Sequence, residues 1–232
     1  MKSNFIHVCF IIDKSGSMMG SENDIIGGFK RVIDEQKELK DGSCAVSLYE
    51  FDNQSYELYV GKDVNEVEYL DKSSYRPGGC TAMNDAIGTA IDNIGKWLDA
   101  MDEDDKPEKN LIVIMTDGEE NSSREYSLEK VKDMIKHQEE KYNWTFLYLG
   151  TDISDATYAK SYGFSNRAFT TKVSASMDNV YGTLSRSLSC YRTTVGSTDD
   201  RYNIWESSLA CDIVEMNENY ETETGNKITN ND

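Results

Sequence analysis

Phe5-Ile6-His7-Val8-Cys9-Phe10-Ile11-Ile12-Asp13-Lys14-Ser15-Gly16-Ser17 is the stretch whose reading decides the fold. Apolar and β-branched residues run almost unbroken to Ile12, which predicts a buried strand, and the run stops at one carboxylate and two hydroxyls. Open α/β sheets place ligands beyond the carboxyl ends of their strands, so Asp13, Ser15 and Ser17 fall where a ligand would sit. Oxygen donors at alternate positions suit a hard divalent cation such as Mg²⁺, Ca²⁺ or Mn²⁺ rather than zinc or copper. Ser and Asp after a strand also serve as turn and helix-cap residues, and this stretch by itself leaves both readings open.

Working outward, Ile25, Ile26, Phe29, Val32, Ile33 and Leu39 recur at near-helical spacing and predict a helix over Glu22 to Lys40. Asp41-Gly42 stops it. Cys44 to Phe51 and Tyr56 to Val60 flank the turn Asp52-Asn53-Gln54, an antiparallel hairpin at the edge of the sheet. Arg76-Pro77-Gly78-Gly79-Cys80-Thr81 is a breaker-rich loop that feeds a helix carrying Met83, Ala86, Ile87, Ala90, Ile91, Ile94, Trp97 and Leu98. After a charged connector from Asp102 to Lys109, Leu111 to Met115 form an apolar strand that ends at Asp117-Gly118. Leu128 to Ile135 predict a helix and Trp144 to Leu149 a strand closed by the polar cluster Gly150-Thr151-Asp152. A short helix over Ala156 to Tyr162, a short strand over Ala168 to Thr170 and a closing helix over Met177 to Tyr191 complete the pattern.

This alternation predicts an α/β domain, Rossmann-like and doubly wound, with a mostly parallel central sheet, one antiparallel edge strand and helices on both faces. The domain is expected to occupy residues 1–194. Residues 195–232 form an acidic C-terminal extension, expected to be partly disordered, in which Ile204, Trp205, Leu209, Ile213 and Val214 could dock back as an extra helix.

The chain carries 24 basic against 42 acidic residues, a net charge of −18, which argues against nucleic acid as a partner. The five cysteines are widely spaced and form no C-x-x-C pair, so neither a zinc knuckle nor a disulfide framework is expected. No apolar window reaches the length of a membrane span, and the stretch after Met1 is not that of a signal peptide, so the expected location is the cytoplasm, without membrane association. His7 and His137 stand apart from any nucleophile, and no phosphate-binding loop or nucleophile elbow is present.

Right-handed crossovers bring the carboxyl ends of parallel strands to one edge, so Asp13, the Thr81 loop and Asp117 can meet despite their separation in sequence. Asp13-Lys14-Ser15-Gly16-Ser17, Gly78-Gly79-Cys80-Thr81 and Met115-Thr116-Asp117-Gly118 together resemble the metal-ion-dependent adhesion site of the von Willebrand factor type A family, over about Asn4 to Thr194. The likeness is to its intracellular bacterial and phage members. It implies that Ser15 and Ser17 coordinate Mg²⁺, with Mn²⁺ or Ca²⁺ as alternatives, and that Thr81 approaches directly or through water. It also implies that Asp13 and Asp117 act mainly through water or second-layer hydrogen bonds. An acidic side chain of a protein partner would then complete the coordination, in a non-catalytic binding module of unspecified oligomeric state.

Cys80 stands where the family often has a small residue, and is expected to pack rather than ligate. Lys14 is expected to be a solvated rim residue, and Met18-Met19 either core or contact patch. Glu119, Glu120 and Asn121 are expected either to border the site or to solvate a helix start, and Asp85 either to orient a loop or to solvate its helix. The competing enzyme reading is a Mg²⁺-dependent phosphatase or phosphotransferase of the haloacid dehalogenase type with Asp13 as nucleophile. It is weakened because Ser15 stands where such enzymes carry a second acid. A third reading is a scaffold that the metal merely stabilises.

Overall fold

The computed structural model describes residues 1–150, 161–162, 168–170, 177–193 and 207. Its strands are β1 (Lys2–Asp13), β2 (Ser43–Phe51), β3 (Ser55–Asp63), β4 (Pro107–Met115), β5 (Thr145–Gly150) and β6 (Ala168–Thr170). Its long helices are α1 (Glu22–Glu38), α2 (Met83–Asp99), α3 (Leu128–Tyr142) and α4 (Met177–Thr193). The strands form one sheet in the order β3-β2-β1-β4-β5-β6. All neighbours run parallel except the β2–β3 pair at the edge, as the tight hairpin requires.

Alternation along each central strand divides the core in two. Ile6, Val8, Phe10 and Ile12 of β1 join Val113 and Leu147 beneath α1 and α4, where Ile25, Phe29, Val32, Tyr181, Leu184 and Leu188 cover them. Cys9 and Ile11 face the other way with Ile112, Ile114 and Phe146, under Ala86, Ile87, Ile91 and Ile94 of α2 and Val131 and Ile135 of α3. Each aliphatic or aromatic side chain buried in this way contributes about 1.5–3 kcal/mol, which explains why the continuous apolar strands are covered on both sides.

The predicted elements within the described residues recur with boundaries shifted by a few residues, β1 starting at Lys2, β3 running from Ser55 to Asp63 and α3 extending to Tyr142. The expected connector from Asp102 to Lys109 gives up its last residues to β4, which pairs with β1 from Lys2↔Pro107 onward. Lys109 is buried there because its ammonium donates to the Asn143 carbonyl at the end of α3, at 2.6 Å. The expected helix from Ala156, apart from Ser161 and Tyr162, lies outside the described residues, as do Thr151, Asp152 and, apart from Ser207, the whole C-terminal extension. Among the described residues, no helix is long and apolar enough to cross a membrane.

The order of strands positions the site. The chain leaves β1 towards β2 on one side and later returns to β4 on the other, so the sheet switches direction between β1 and β4. Carboxyl ends at such a switch point cannot be bridged by the crossing helices, and a crevice opens there. Asp13 ends β1 beside Met115, the last residue of β4.

Candidate metal centre

Three loops meet at this crevice, and each is tied to the other two. Gly16 donates its N–H to the Gly79 carbonyl at 3.1 Å and Gly78 to the Lys14 carbonyl at 2.8 Å, so the first loop pairs with the second. Gly79 permits this turn with φ +81°, and a Cβ there would stand 2.2 Å from Asn53 Oδ1. The same Asn53 oxygen accepts the Cys80 N–H at 2.5 Å. The second loop pairs with the third where the Asn121 and Ser122 N–H groups meet the Thr81 carbonyl at 3.0 and 3.2 Å. The third returns to the first through side chains: Ser17 Oγ donates to Asp117 Oδ1 at 2.6 Å, and Thr116 Oγ1 donates to Asp13 Oδ2 at 2.6 Å.

All five sequence-predicted residues come together in this ring. Ser15 Oγ and Ser17 Oγ are 3.0 Å apart. A Cβ built on Gly118 would lie 3.3 Å from both Ser17 Oγ and Thr81 Oγ1 and 3.6 Å from Asp13 Oδ2. Oxygens from the first and second loops therefore border one small space beside Gly118 of the third, which the missing side chain leaves open. Asp13, Ser15 and Thr81 are buried, whereas Ser17 is exposed and Asp117 partly so, which makes the space accessible from one side.

Asp13 is held from both oxygens, Oδ1 accepting the Ser15 N–H at 2.6 Å and Oδ2 the Thr116 hydroxyl. Burial pushes its carboxyl up to about 6 against the opposing effect of these hydrogen bonds, and the charge of Asp117 adds to the rise. Two carboxylates thus share a partly dry site. Lys14, the adjacent cation in sequence, is committed elsewhere: its ammonium meets Glu50 Oε2 at 3.0 Å and lies 3.8 Å from the centre of the Tyr56 ring.

These residues fit a hard divalent ion. Mg²⁺ holds oxygens at about 2.1 Å in an octahedron, so adjacent ligands stand about 3.0 Å apart. The Ser15–Ser17 hydroxyl spacing of 3.0 Å matches that edge. Three hydroxyls backed by two carboxylates, with neither imidazole nor thiolate, suit a hard ion such as Mg²⁺, Mn²⁺ or Ca²⁺. Among the described residues no group of three His, Cys, Asp or Glu is gathered for a metal, so any such site depends on hydroxyls.

At the rim the expectations for Cys80 and Lys14 change, and those left open for Met18-Met19, Glu119 to Asn121 and Asp85 resolve. Cys80 is exposed rather than packed, since its backbone is held by Asn53 and its side chain turns outward. Lys14 is not a solvated rim lysine, because the buried Glu50 carboxylate captures it. Met18 belongs to the core and Met19 is exposed. Glu119 to Asn121 do not open a helix, since α3 starts later, with Ser127 as its cap. Asp85 orients a loop: its carboxylate accepts the N–H groups of Arg124, Glu125 and Tyr126 at 2.8–2.9 Å.

Thr116 and Tyr75 brace the candidate site, and sequence reasoning did not single them out. Thr116 was visible only as a neighbour of Asp117, yet its hydroxyl joins Asp13 to the Gly118 N–H. The buried Tyr75 hydroxyl donates to the Asp13 carbonyl at 2.6 Å, a contact for which the local sequence carries no signal.

A family model for the von Willebrand factor type A domain matches residues 7–178. Among solved structures, the chain is similar to the ArnB paralogue VWA2 from Sulfolobus acidocaldarius, at 18% identity over 78% of this chain and 44% of that one, with a TM-score of 0.51. It is also similar to proximal thread matrix protein 1 from the mussel byssus, at 13% identity over 88% of this chain and 46% of that one, with a TM-score of 0.53. PilB minor pilin from Streptococcus sanguinis gives 11% identity over 79% of this chain and 61% of that one, with a TM-score of 0.53. At such identities the likeness is one of fold, and the chain spans less than two thirds of the length of each neighbour. No curated protein sequence matches it.

Proposed function

Because the chain belongs to the von Willebrand factor type A domain family, we propose that it is a non-catalytic protein-binding module that works through a divalent cation, Mg²⁺ first and Mn²⁺ or Ca²⁺ as alternatives. An acidic side chain of a partner protein would complete the coordination. The observation that carries this reading is the convergence of Ser17 Oγ, Thr81 Oγ1 and Asp13 Oδ2 on the space beside Gly118. Ser15, Ser17 and Thr81 would hold the ion through their hydroxyls. Asp13 and Asp117 fix the geometry: Asp13 takes the Ser15 N–H and the Thr116 hydroxyl, and Asp117 takes the Ser17 hydroxyl. When bound, the ion supplies an electrophilic centre that neutral hydroxyls leave incompletely compensated, open to a carboxylate from outside.

The same geometry disfavours phosphoryl transfer. A nucleophilic carboxylate must present a free oxygen to its substrate, whereas Asp13 is fully buried with both oxygens engaged. We place the protein in a reducing, cytoplasmic setting, a reading supported by the thiols of Cys9, Cys44 and Cys80, which form no disulfide among the described residues.

The test is calorimetric titration with MgCl₂, MnCl₂ and CaCl₂, followed by partner capture in Mg²⁺ and in EDTA with wild type and Asp13→Ala. Saturable uptake and partners released by EDTA are expected. An identical partner set under every condition would defeat the reading.

A further inference from the structure

Thr81 differs from the other site residues in how it is held. Asp13, Ser15 and Ser17 lie at or just after the end of β1, and Asp117 just after β4, so sheet register places them. Thr81 lies in the coil before α2, where no strand partner fixes its peptide, yet it is almost fully buried. The third loop supplies the missing partner. Asn121 Oδ1 accepts the Thr81 N–H at 2.9 Å, and the Asn121 N–H returns to the Thr81 carbonyl at 3.0 Å. One residue therefore grips both sides of the threonine, as a strand neighbour would.

Asn121 is itself braced. Glu120 Oε1 accepts the N–H groups of Ser122 and Ser123 at 2.9 and 2.7 Å, while Oε2 accepts the Asn84 N–H at 2.8 Å and the Ser123 hydroxyl at 2.6 Å. The loop is thus curled around one carboxylate that is also bonded to the first turn of α2, three residues beyond Thr81.

The geometry assigns Asn121 as the positioning residue that sets the Thr81 hydroxyl against the oxygens of Ser17 and Asp13, acting through its side-chain oxygen. This rests on the metal-site reading. The requirement is for an acceptor at position 121. Alanine leaves the buried Thr81 N–H without its partner, whereas aspartate keeps an oxygen there. Residues that orient ligands in this way change metal affinity by about 10–100-fold when removed.

Two measurements on the whole chain test the assignment: amide hydrogen exchange at Thr81 in metal-free protein, and Mg²⁺ titration. Asn121→Ala should speed Thr81 exchange at least about tenfold while amides of the central strands keep their protection, and should weaken Mg²⁺ binding about tenfold or more. Asn121→Asp should restore Thr81 protection and bring the affinity back to within about threefold of wild type. Unchanged Thr81 protection in Asn121→Ala, or an Asn121→Asp protein as impaired as the alanine variant, overturns the assignment. So does equal Mg²⁺ affinity in wild type and Asn121→Ala, with the metal reading left standing. A wild type that takes up no divalent cation overturns the metal reading and this inference together.

Discussion

Acidification should destabilise this fold through one histidine, and His7→Gln should abolish that part of the response. His7 lies in the middle of β1, fully buried, with Nδ1 3.0 Å from Asn110 Oδ1 on β4 and Nε2 2.7 Å from Ser47 Oγ on β2. An amide oxygen only accepts, so Nδ1 carries the proton and Nε2 receives the Ser47 hydroxyl. Ser47 Oγ in turn accepts the Gly61 N–H of β3 at 2.9 Å. The chain of bonds runs in one direction across four strands and has no room for a second ring proton. Protonating Nε2 would leave the Ser47 hydroxyl hydrogen without its acceptor. Burial lowers the ring's pKa to about 4 from the usual 6.5, opposed by the Asn110 hydrogen bond. Because the folded value lies below the unfolded one, the unfolded chain binds more protons between them. Stability is therefore whole above pH 6.5 and falls as the pH drops towards 4. The interval corresponds to about 3 kcal/mol, of which about 2 kcal/mol is gone by pH 5. Other groups titrate too, so the quantity to follow is the gap between wild type and His7→Gln in urea unfolding, monitored by tryptophan fluorescence. The glutamine loses ring contact with Trp97, 4.8 Å away between centroids, and should be less stable at pH 7.5. That gap should shrink by about 2 kcal/mol between pH 7.5 and 5.0. A gap independent of pH would refute the neutral, directed chain.

Gly118→Ala should leave the metal-free melting temperature nearly unchanged and abolish the Mg²⁺-induced rise, because its methyl group would fill the space 3.3 Å from the Ser17 and Thr81 hydroxyls. An undiminished rise would show that the ion lies elsewhere. Lys14→Met should cost about 3 kcal/mol in urea unfolding, since Glu50 would keep a buried charge without its partner, and Lys14→Met/Glu50→Leu should recover most of that loss. A double variant no more stable than the single would mean that packing against Tyr56, not charge, dominates. Thr116→Val removes the hydroxyl that donates to Asp13 and should cost about 1.5–3 kcal/mol at neutral pH, checked by the same unfolding assay.

What could be read from the sequence follows from what each residue depends on. Strands β1 and β4 were legible because two-sided burial writes itself into consecutive residues, and Asp13, Ser15, Ser17 and Asp117 were legible because they follow those strands directly. Thr81 was legible through the breakers that precede α2. Residues whose role depends on register between segments were not. His7 looks isolated in sequence, yet β1–β4 register sets it opposite Asn110, 103 residues away. Lys14 looks solvent-facing until β2 brings Glu50 under it, and Cys80 looks like a packing residue until Asn53 of the hairpin turns its backbone. Alternation tells which face a residue takes but not what it meets there, because a neighbour is chosen by loop lengths and by the fit of distant apolar faces. The site divides along the same line. The oxygens that would touch a cation belong to short motifs, whereas the groups that aim them, Thr116 apart, come from segments remote in sequence: Tyr75 on the Asp13 carbonyl, Asn121 on Thr81 and Glu120 on the start of α2. A motif therefore specifies the donors of such a site, and its affinity is set by the rest of the fold.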